Sequence, residues 1–241
     1  IIEKEREEEC GKYVDVLFYN VCEGARGKEK RAALTRFINE EVNAARDRGR
    51  EIVIGLSELN GWTEEAFRAW VAQHSWGLHV CFLRTRTGYH LGAMSSSDMS
   101  EISRVTGDDE VKLHHGAIFF STAGTSFALT HLNPHDARAR EAEANFILRW
   151  RQTDVVFGDL NTIARSDADE NLEHALLEGT SQLRKKFFLY RNGAYDLHHG
   201  VVDAFLKAGF YDSGLGATVP TKASTDKMHA TPMRLDYILL R

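Results

Sequence analysis

The sequence predicts an α/β fold in which helices pack on the outer faces of two stacked, mainly antiparallel β-sheets. Two observations carry this prediction. Apolar runs of strand length alternate with segments whose apolar residues recur at helical spacing, and five short strand-like runs follow one another between residues 77 and 132. Hydrophobic residues make up 43% and charged residues 27% of the 241 residues, which is ordinary for a globular chain and favours one domain over two.

The first elements are predicted to form a strand, helix, strand unit. The runs YVDVLFYNV at 13–21 and EIVIGLSEL at 51–59 are rich in β-branched and aromatic residues, as strands are. Between them the apolar residues recur at helical spacing, at Leu34, Phe37, Ile38, Val42 and Ala45. This helix is predicted to end near Gly49, and a second helix to begin at Thr63, whose hydroxyl suits an N-cap.

The middle of the chain contains the five strand-like runs GLHVCFL, YHLGAMSS, EISRV, GAIFFST and TSFALTHL, with Ala123-Gly124 as a hairpin turn. Neighbouring runs of this kind predict antiparallel pairing. A helix is expected after Pro134, and a strand is expected at VVFGD. A helical segment from Leu172 to Leu177 and an amphipathic helix up to Gly209 follow. The last strand is predicted in RLDYILL. Residues 1–12 are predicted to be an N-terminal extension of the domain 13–241.

Charge and cysteine content limit the classes of function. Thirty Lys and Arg against thirty-five Asp and Glu give a net charge of −5, so the chain lacks the basic footprint of a general nucleic-acid binder. Contacts with phosphates would need a cation or local residues such as Arg84 and Arg86. The three cysteines are far apart, which predicts neither a disulfide framework nor a zinc site and favours an intracellular, reducing compartment. No apolar run approaches the roughly 20 residues of a membrane span, and nothing indicates an oligomeric state.

Polar residues end several of the predicted strands. Asn20, Glu58, His131 and Asp159 each stand where an apolar run stops, and Asn161 follows two residues after the last of them. Taken singly, each is most simply a turn residue or a solvated strand end. Together, two carboxylates, two amides and one imidazole are the groups that a Mg²⁺-assisted phosphate site requires, because Mg²⁺ takes a few oxygen ligands and completes its shell with water.

These positions, taken with a later aspartate, resemble in order and rough spacing the endonuclease/exonuclease/phosphatase superfamily. The matching motifs are FYNV with Asn20, GLSEL with Glu58, LTHLNP with His131, VVFGDLNT with Asp159 and Asn161, and RLDYILL with Asp236. GDLN followed by R-x-D-Y-I is the most specific part, and Arg140, VVDAFLKAGFYD and TVPT support it. The resemblance spans residues 14 to 241 and implies a four-layer α/β sandwich with its site at one end of the two sheets.

The resemblance also implies a role for each of these residues. Glu58 would be the main Mg²⁺ ligand, with Asn20 beside it supporting the metal or the attacking water, and Mn²⁺ is the alternative metal. Asp159 would orient that water and help to deprotonate it. Asn161 and His131 would hold phosphoryl oxygens and stabilise the charge that grows in the transition state. Ser57 stands where many members carry glutamine, which alters the surroundings of the metal ligand and leaves the ligand itself in place.

The position of Asp236 near the end of the sequence leads to an expectation about the end of the domain. In the superfamily pattern this aspartate orients a histidine from a later S-D-H segment, which the 241 residues do not contain. We therefore expect the domain 13–241 to be incomplete at its C-terminal end and the native chain to continue. The 241-residue chain alone is expected to hydrolyse phosphodiesters poorly, because a preorganised donor of this kind typically accounts for about 10²- to 10³-fold in rate.

The leading hypothesis is Mg²⁺-dependent phosphodiester hydrolysis by in-line attack of water, with RNA, DNA or a nucleotide as the phosphoester substrate. The alternatives are a phosphoinositide or phospholipid phosphoesterase, and an inactive superfamily member that serves as a binding or scaffolding module, for example in a ribonucleoprotein.

Glu58 and Asp159 are expected to share one metal position, and His131 is expected to lie in the mouth of the site beside Asn161. The other histidines considered are expected to be surface or packing residues, namely His114, His115, His198 and His199. Trp62 is open between helix packing and stacking on a base.

Overall fold

The computed structural model describes residues 13–107, 113–150, 152–215 and 233–241. The strands of this part are β1 (Val14–Asn20), β2 (Glu51–Ser57), β3 (His79–Leu83), β4 (Leu91–Ser95), β5 (Ser100–Val105), β6 (Ala117–Thr122), β7 (Thr125–His131), β8 (Val155–Asp159), β9 (Phe188–Arg191), β10 (Ala194–Leu197), β11 (Tyr211–Asp212) and β12 (Asp236–Leu240). One sheet has the order β1-β2-β4-β3, a second has the order β11-β12-β8-β7-β6-β5, and β9 pairs with β10 in a separate hairpin. The predicted extension 1–12 and the TVPT segment lie outside the described residues.

Helices cover the outer face of each sheet. They are α1 (Cys22–Ala25), α2 (Lys28–Asp47), α3 (Glu64–Gln73), α4 (Ala137–Trp150), α5 (Glu170–Leu177), α6 (Ser181–Phe187) and α7 (Gly200–Lys207), with a 3₁₀ turn at Arg165–Asp167. The apolar sides of α2 and α3 pack on the first sheet, and those of α4 and α7 pack on the second. The molecule is therefore the predicted four-layer sandwich of two mainly antiparallel sheets flanked by helices.

The two sheets face each other across a shared apolar core. Val53 and Ala93 of the first sheet contact Phe127, Leu129 and Phe157 of the second, and all five are buried. Burial of apolar surface of this kind stabilises the fold by about 25 cal/mol for each Å² removed from water.

Gly55 of β2 sets how closely the two sheets approach each other. A Cβ at this position would lie 2.4 Å from the Phe157 ring and 2.7 Å from Leu129 Cδ1. The absence of a side chain on the inner face of β2 therefore lets the second sheet pack directly on its backbone.

Each sheet contains one parallel pair, and these pairs decide where the polar strand ends lie. β1 runs parallel to β2, and β7 runs parallel to β8, whereas the other neighbours are antiparallel. Asn20 is in register with Ser57, and His131 is in register with Asp159. Because the carboxyl ends of parallel strands meet at the same edge, each sheet presents two of the predicted polar residues at one edge.

Several local predictions are confirmed. Thr63 caps α3, since its Oγ1 accepts from the backbone N–H of Ala66 at 3.1 Å. Ala123 and Gly124 form the hairpin turn between β6 and β7 with φ of 50° and 75°. The five runs between 77 and 132 do pair in antiparallel fashion, but they divide between the sheets, with β3 and β4 in the first and β5 to β7 in the second.

The described residues contain no helix that is long and apolar enough to cross a membrane.

Candidate functional site

One amide joins the two sheets at the edge where their parallel strands end. Asn20 closes β1, Glu58 follows β2 and Asp159 closes β8. The Nδ2 of Asn20 donates to Glu58 Oε1 and to Asp159 Oδ2, each at 3.0 Å. The two carboxylates therefore face a common donor although they belong to different sheets.

The backbone around Glu58 is shaped to hold its carboxylate. Glu58 has a φ of 58°, and its Oε2 accepts from the backbone N–H of Glu23 at 2.9 Å. Glu23 belongs to α1, a single turn with left-handed backbone, which also donates the N–H of Cys22 to Asn20 Oδ1. A Cβ on Gly24 would lie 2.1 Å from Asn60 O, so glycine is required for this turn to dock against the loop after Glu58.

The GDLN motif, residues 158–161, forms the side of the site that belongs to the second sheet. A Cβ on Gly158 would lie 1.9 Å from the carbonyl oxygen of Thr130, and its φ is 149°, so glycine lets β8 approach β7. Asp159 Oδ1 then accepts from the backbone N–H of Asn161 at 2.8 Å. The Asn161 amide donates to the carbonyl of Leu132 at 3.1 Å. Asp159 is thus held by two donors, one from each side.

Three side chains form a group that could hold a metal ion. One ligand atom each from Glu58, His131 and Asp159 lies within 4.8 Å of the others, and His131 Nε2 is 3.7 Å from Asp159 Oδ2. Glu58 and Asp159 thus lie as close together as a shared metal position requires. Asn20, predicted beside the metal, faces the acids through its amide nitrogen, whereas its Oδ1 accepts from Cys22.

The family model of the Endonuclease/Exonuclease/phosphatase family matches residues 17–241. The chain belongs to this family. Its members are metal-dependent nucleases and phosphatases. A comparison with curated proteins finds no match.

Solved structures of the Endonuclease/Exonuclease/phosphatase type share the fold of the chain. A 3′-5′ exonuclease (NExo) from Neisseria meningitidis is 14% identical with a TM-score of 0.61, over 93% of this chain and 86% of that one. An AP endonuclease from Archaeoglobus fulgidus is 13% identical with a TM-score of 0.58, over 93% and 85%. The 3′ phosphatase NExo from Neisseria bound to product DNA hairpin is 14% identical with a TM-score of 0.59, over 94% and 85%.

The acids at this edge repel one another in the absence of a cation. Asp236 opens β12 and pairs in register with Asp159, which brings a third carboxylate to the edge. Asp236 is exposed at the rim, yet crowding by protein atoms still removes part of the water around its carboxyl. This desolvation, followed by the charges of Asp159 and Glu58, raises the pKa of Asp236 to about 8. A site with this electrostatic balance favours a bound positive charge.

His131 is the imidazole of the site and is only 3% exposed. Burial lowers its pKa below the usual value, although Asp159 and Glu58 oppose that shift. Its Nδ1 is buried and has no hydrogen-bond partner within the described ranges. His131 thus lies beside Asp159, and the carbonyl of the next residue, Leu132, accepts from Asn161.

His115 forms part of the wall of the site. The sequence did not predict this position for His115. Its ring stacks on His131 with centroids 4.2 Å apart and an interplanar angle of 28°. Its Nδ1 is 2.6 Å from Thr87 Oγ1. Burial, with smaller effects from neighbouring histidines, lowers the pKa of His115 to about 2, so the ring is neutral at ordinary pH. His115 is therefore a packing residue, as expected, but the residue it packs against is His131 of the site.

The other aromatic and histidine predictions concern local packing. Trp62 is buried and packs within the fold, since its Nε1 donates to Gly24 O at 2.9 Å and its ring lies under the Arg31 guanidinium at 4.4 Å. His198 is 2.9 Å from Glu141, and His199 Nδ1 is 2.9 Å from Ile163 O.

Two buried charged residues on α4 fix the loops beside His131. Glu143 accepts the backbone N–H groups of His114 and Asn133, at 2.5 and 2.7 Å. Arg140, named above as a supporting match, donates to the carbonyls of Asn133 and Lys186. The helix behind the second sheet thus holds both the segment before β6 and the segment after β7.

Proposed function

We propose that this chain hydrolyses phosphodiester bonds by metal-assisted attack of water, with a nucleic acid or a nucleotide as substrate. The observation that carries the proposal is the pair of hydrogen bonds from Asn20 to Glu58 and Asp159, because it gathers two acids from different sheets beside one imidazole. A structural role does not require two carboxylates to be held this close, since like charges at short range destabilise the fold.

The donor set fits a divalent cation. Glu58 and Asp159 supply carboxylate oxygens, which Mg²⁺ prefers, and Mn²⁺ is the alternative metal. A cation held there would offset the negative charge on the phosphoryl oxygens.

The remaining chemistry belongs to side chains of the chain itself. Asp159, oriented by Asn20 and by the N–H of Asn161, is placed to accept a proton from the attacking water. The Asn161 amide and the ring of His131 would donate to phosphoryl oxygens in the transition state. Asp236 lies across from Asp159 at the rim and is expected to orient a further donor.

Nucleic acid is favoured over a lipid or inositol phosphate by the compared structures. Those proteins are named as an exonuclease, an AP endonuclease and a phosphatase bound to product DNA hairpin. The net charge of −5 favours neither class, because a bound cation and local arginines can supply the contacts with phosphate.

The test is hydrolysis with Mg²⁺ of single-stranded RNA, abasic DNA, poly(A), a phosphoinositide and sphingomyelin. It is run on the 241-residue chain. We expect cleavage of a nucleic acid that needs the metal and is lost in Asp159→Asn but kept in Asp47→Asn, an exposed carboxylate at the end of α2. Folded protein without metal-dependent cleavage of any of these substrates would favour the scaffold alternative instead.

A further inference from the structure

A cavity lies beside the loop that follows Glu58. It encloses about 450 Å³ and opens to solvent. Its wall is formed by residues of three segments, including Gly61, Trp62, Glu65, Phe82, Arg84 and His90. This volume is in the range of small-molecule sites and exceeds that needed for a water cluster.

The cavity is within reach of a substrate bound at Glu58. The backbone N–H of Leu59 donates to the carbonyl of His90 at 3.1 Å, so the start of β4 lies directly against the loop after Glu58. Gly61 follows Glu58 by three residues, which places their Cα atoms at most about 11 Å apart. A group one unit along a chain from the phosphodiester being cut can therefore enter the cavity.

His90 lines the cavity and carries a hydrogen-bond donor on its ring. The backbone N–H of Thr85 donates to His90 Nδ1 at 3.1 Å, so Nδ1 carries the lone pair and the proton is on Nε2. Burial and then the charge of Arg84 lower the pKa of His90, which keeps the ring neutral. The residue is 8% exposed, and no described residue accepts from Nε2.

Arg84 supplies a second donor. It is exposed and makes no ion pair or hydrogen bond with the part of the chain that the structure describes, and its charge reaches His90. The neighbouring Arg86 differs, since it donates to the carbonyl of Gly107 at 3.1 Å.

Carboxylates on the same wall decide between a phosphate and a base. Glu64 and Glu65 line the cavity at the start of α3, and Glu64 also pairs with Arg68 at 2.7 Å. The negative charge of Glu65 disfavours a second phosphate and favours a neutral group that offers both acceptors and donors. The rings of His90 and Phe82 pack at a steep angle with centroids 5.5 Å apart, and Phe82 adds apolar surface to the lining of the cavity.

We propose that this cavity binds the nucleobase adjacent to the phosphodiester bond being cut, and that guanine is preferred. This inference rests on the proposed function. Guanine O6 and N7 accept from a guanidinium and an imidazole N–H, and its N1–H and amino group suit a carboxylate. Adenine presents an amino group where guanine presents O6, and so loses one of the two acceptors.

The experiment measures binding of the four 5′-mononucleotides and of inorganic phosphate to the chain without divalent metal. GMP is expected to bind most tightly and inorganic phosphate least. Arg84→Gln is expected to weaken GMP binding about tenfold, whereas Arg86→Gln, the matched change two residues away, leaves it unchanged. Equal affinity for all four nucleotides, or equal loss in the two variants, would overturn the proposal.

The same measurement on Asp159→Asn separates this inference from the proposed function. Asp159 does not line the cavity, so GMP binding is expected to persist in this variant while hydrolysis is lost. If no substrate is cleaved but GMP binding depends on Arg84, the proposed base site is supported and the proposed hydrolysis is contradicted. If RNA is cleaved with the same efficiency whatever base flanks the cut, the proposed hydrolysis is supported and the proposed base site is contradicted.

Discussion

Asn20 shows how a neutral residue can organise a charged site. Its amide nitrogen donates to Glu58 and Asp159, while its oxygen accepts from Cys22. Every polar atom of this side chain therefore fixes another part of the site. The carboxylates consequently hold their orientation before any cation arrives, which reduces the conformational cost of binding one.

Asn20→Ala is expected to weaken Mg²⁺ binding by about 10- to 100-fold, because both carboxylates lose the donor that orients them. Isothermal titration calorimetry of Mg²⁺ against the wild-type and variant chains measures this. Asn43→Ala on the exposed side of α2 is the control. Unchanged affinity in the Asn20 variant would show that the carboxylates are held by other contacts.

At the scale of elements, the site depends on how closely β7 and β8 approach each other. Gly158 allows this approach, since any Cβ there would overlap the Thr130 carbonyl. The same strand pair carries His131 and Asp159 in register. Backbone geometry at one glycine therefore sets the distance between the imidazole and the acid.

Gly158→Ala is expected to destabilise the chain by more than about 2 kcal/mol, because the strands must separate to admit the methyl group. Gly77→Ala is the matched control: its φ of 69° is also positive, but nothing lies within 4 Å of the added Cβ. We expect it to cost about 1 kcal/mol from backbone conformation alone. Urea unfolding of both variants gives the comparison, and equal losses would contradict the role given to close approach.

The sequence predicted site residues that end strands and missed residues that begin them. His115 stands two residues before β6 and His90 one residue before β4, and both strands run antiparallel to a neighbour that ends at the site. An antiparallel partner begins where its neighbour ends, so its first residues belong to the same edge. Which strands are partners is a non-local property, and the apolar runs alone did not contain it.

The hairpin of β9 and β10 was missed for a different reason. Its turn is Asn192-Gly193, both with positive φ, which is the dipeptide that favours a two-residue hairpin turn. The signal was therefore present in the sequence and was overlooked. Asp236 was found only through the superfamily resemblance, because an aspartate at the start of a strand is ordinary by itself.

At the scale of the whole molecule, α4 ties the loops at the site to the outer layer. Burial raises the pKa of Glu143 to about 7, although the backbone N–H groups of Asn133 and His114 and the charge of Arg140 oppose this. The pKa in the folded chain thus lies above the unfolded value of about 4.5. Glu143 contributes stability that is fully present below pH 4.5 and is lost as the pH rises through about 7.

Glu143→Gln removes this titration and keeps an oxygen acceptor for one of the two backbone N–H groups, because His114 donates to Oε1 and Asn133 donates to Oε2. The stability of the wild type relative to this variant is expected to fall between pH 4.5 and pH 7.5, by a few kcal/mol. Urea unfolding at both pH values measures the difference, with Glu40→Gln on the exposed side of α2 as the control. A difference that rises with pH would mean that the charged carboxylate is the stabilising form.

The central claim is that Glu58 and Asp159 hold one divalent cation between the two sheets. Mn²⁺ binding followed by electron paramagnetic resonance tests it directly in the wild type, in Glu58→Gln, in Asp159→Asn and in the double variant. We predict one site in the wild type, weakened affinity with intact folding in each single variant, and a loss in the double variant that is smaller than the sum of the two, because both act on the same ion. Additive losses, or Mn²⁺ binding that survives both substitutions in folded protein, would contradict a shared metal position.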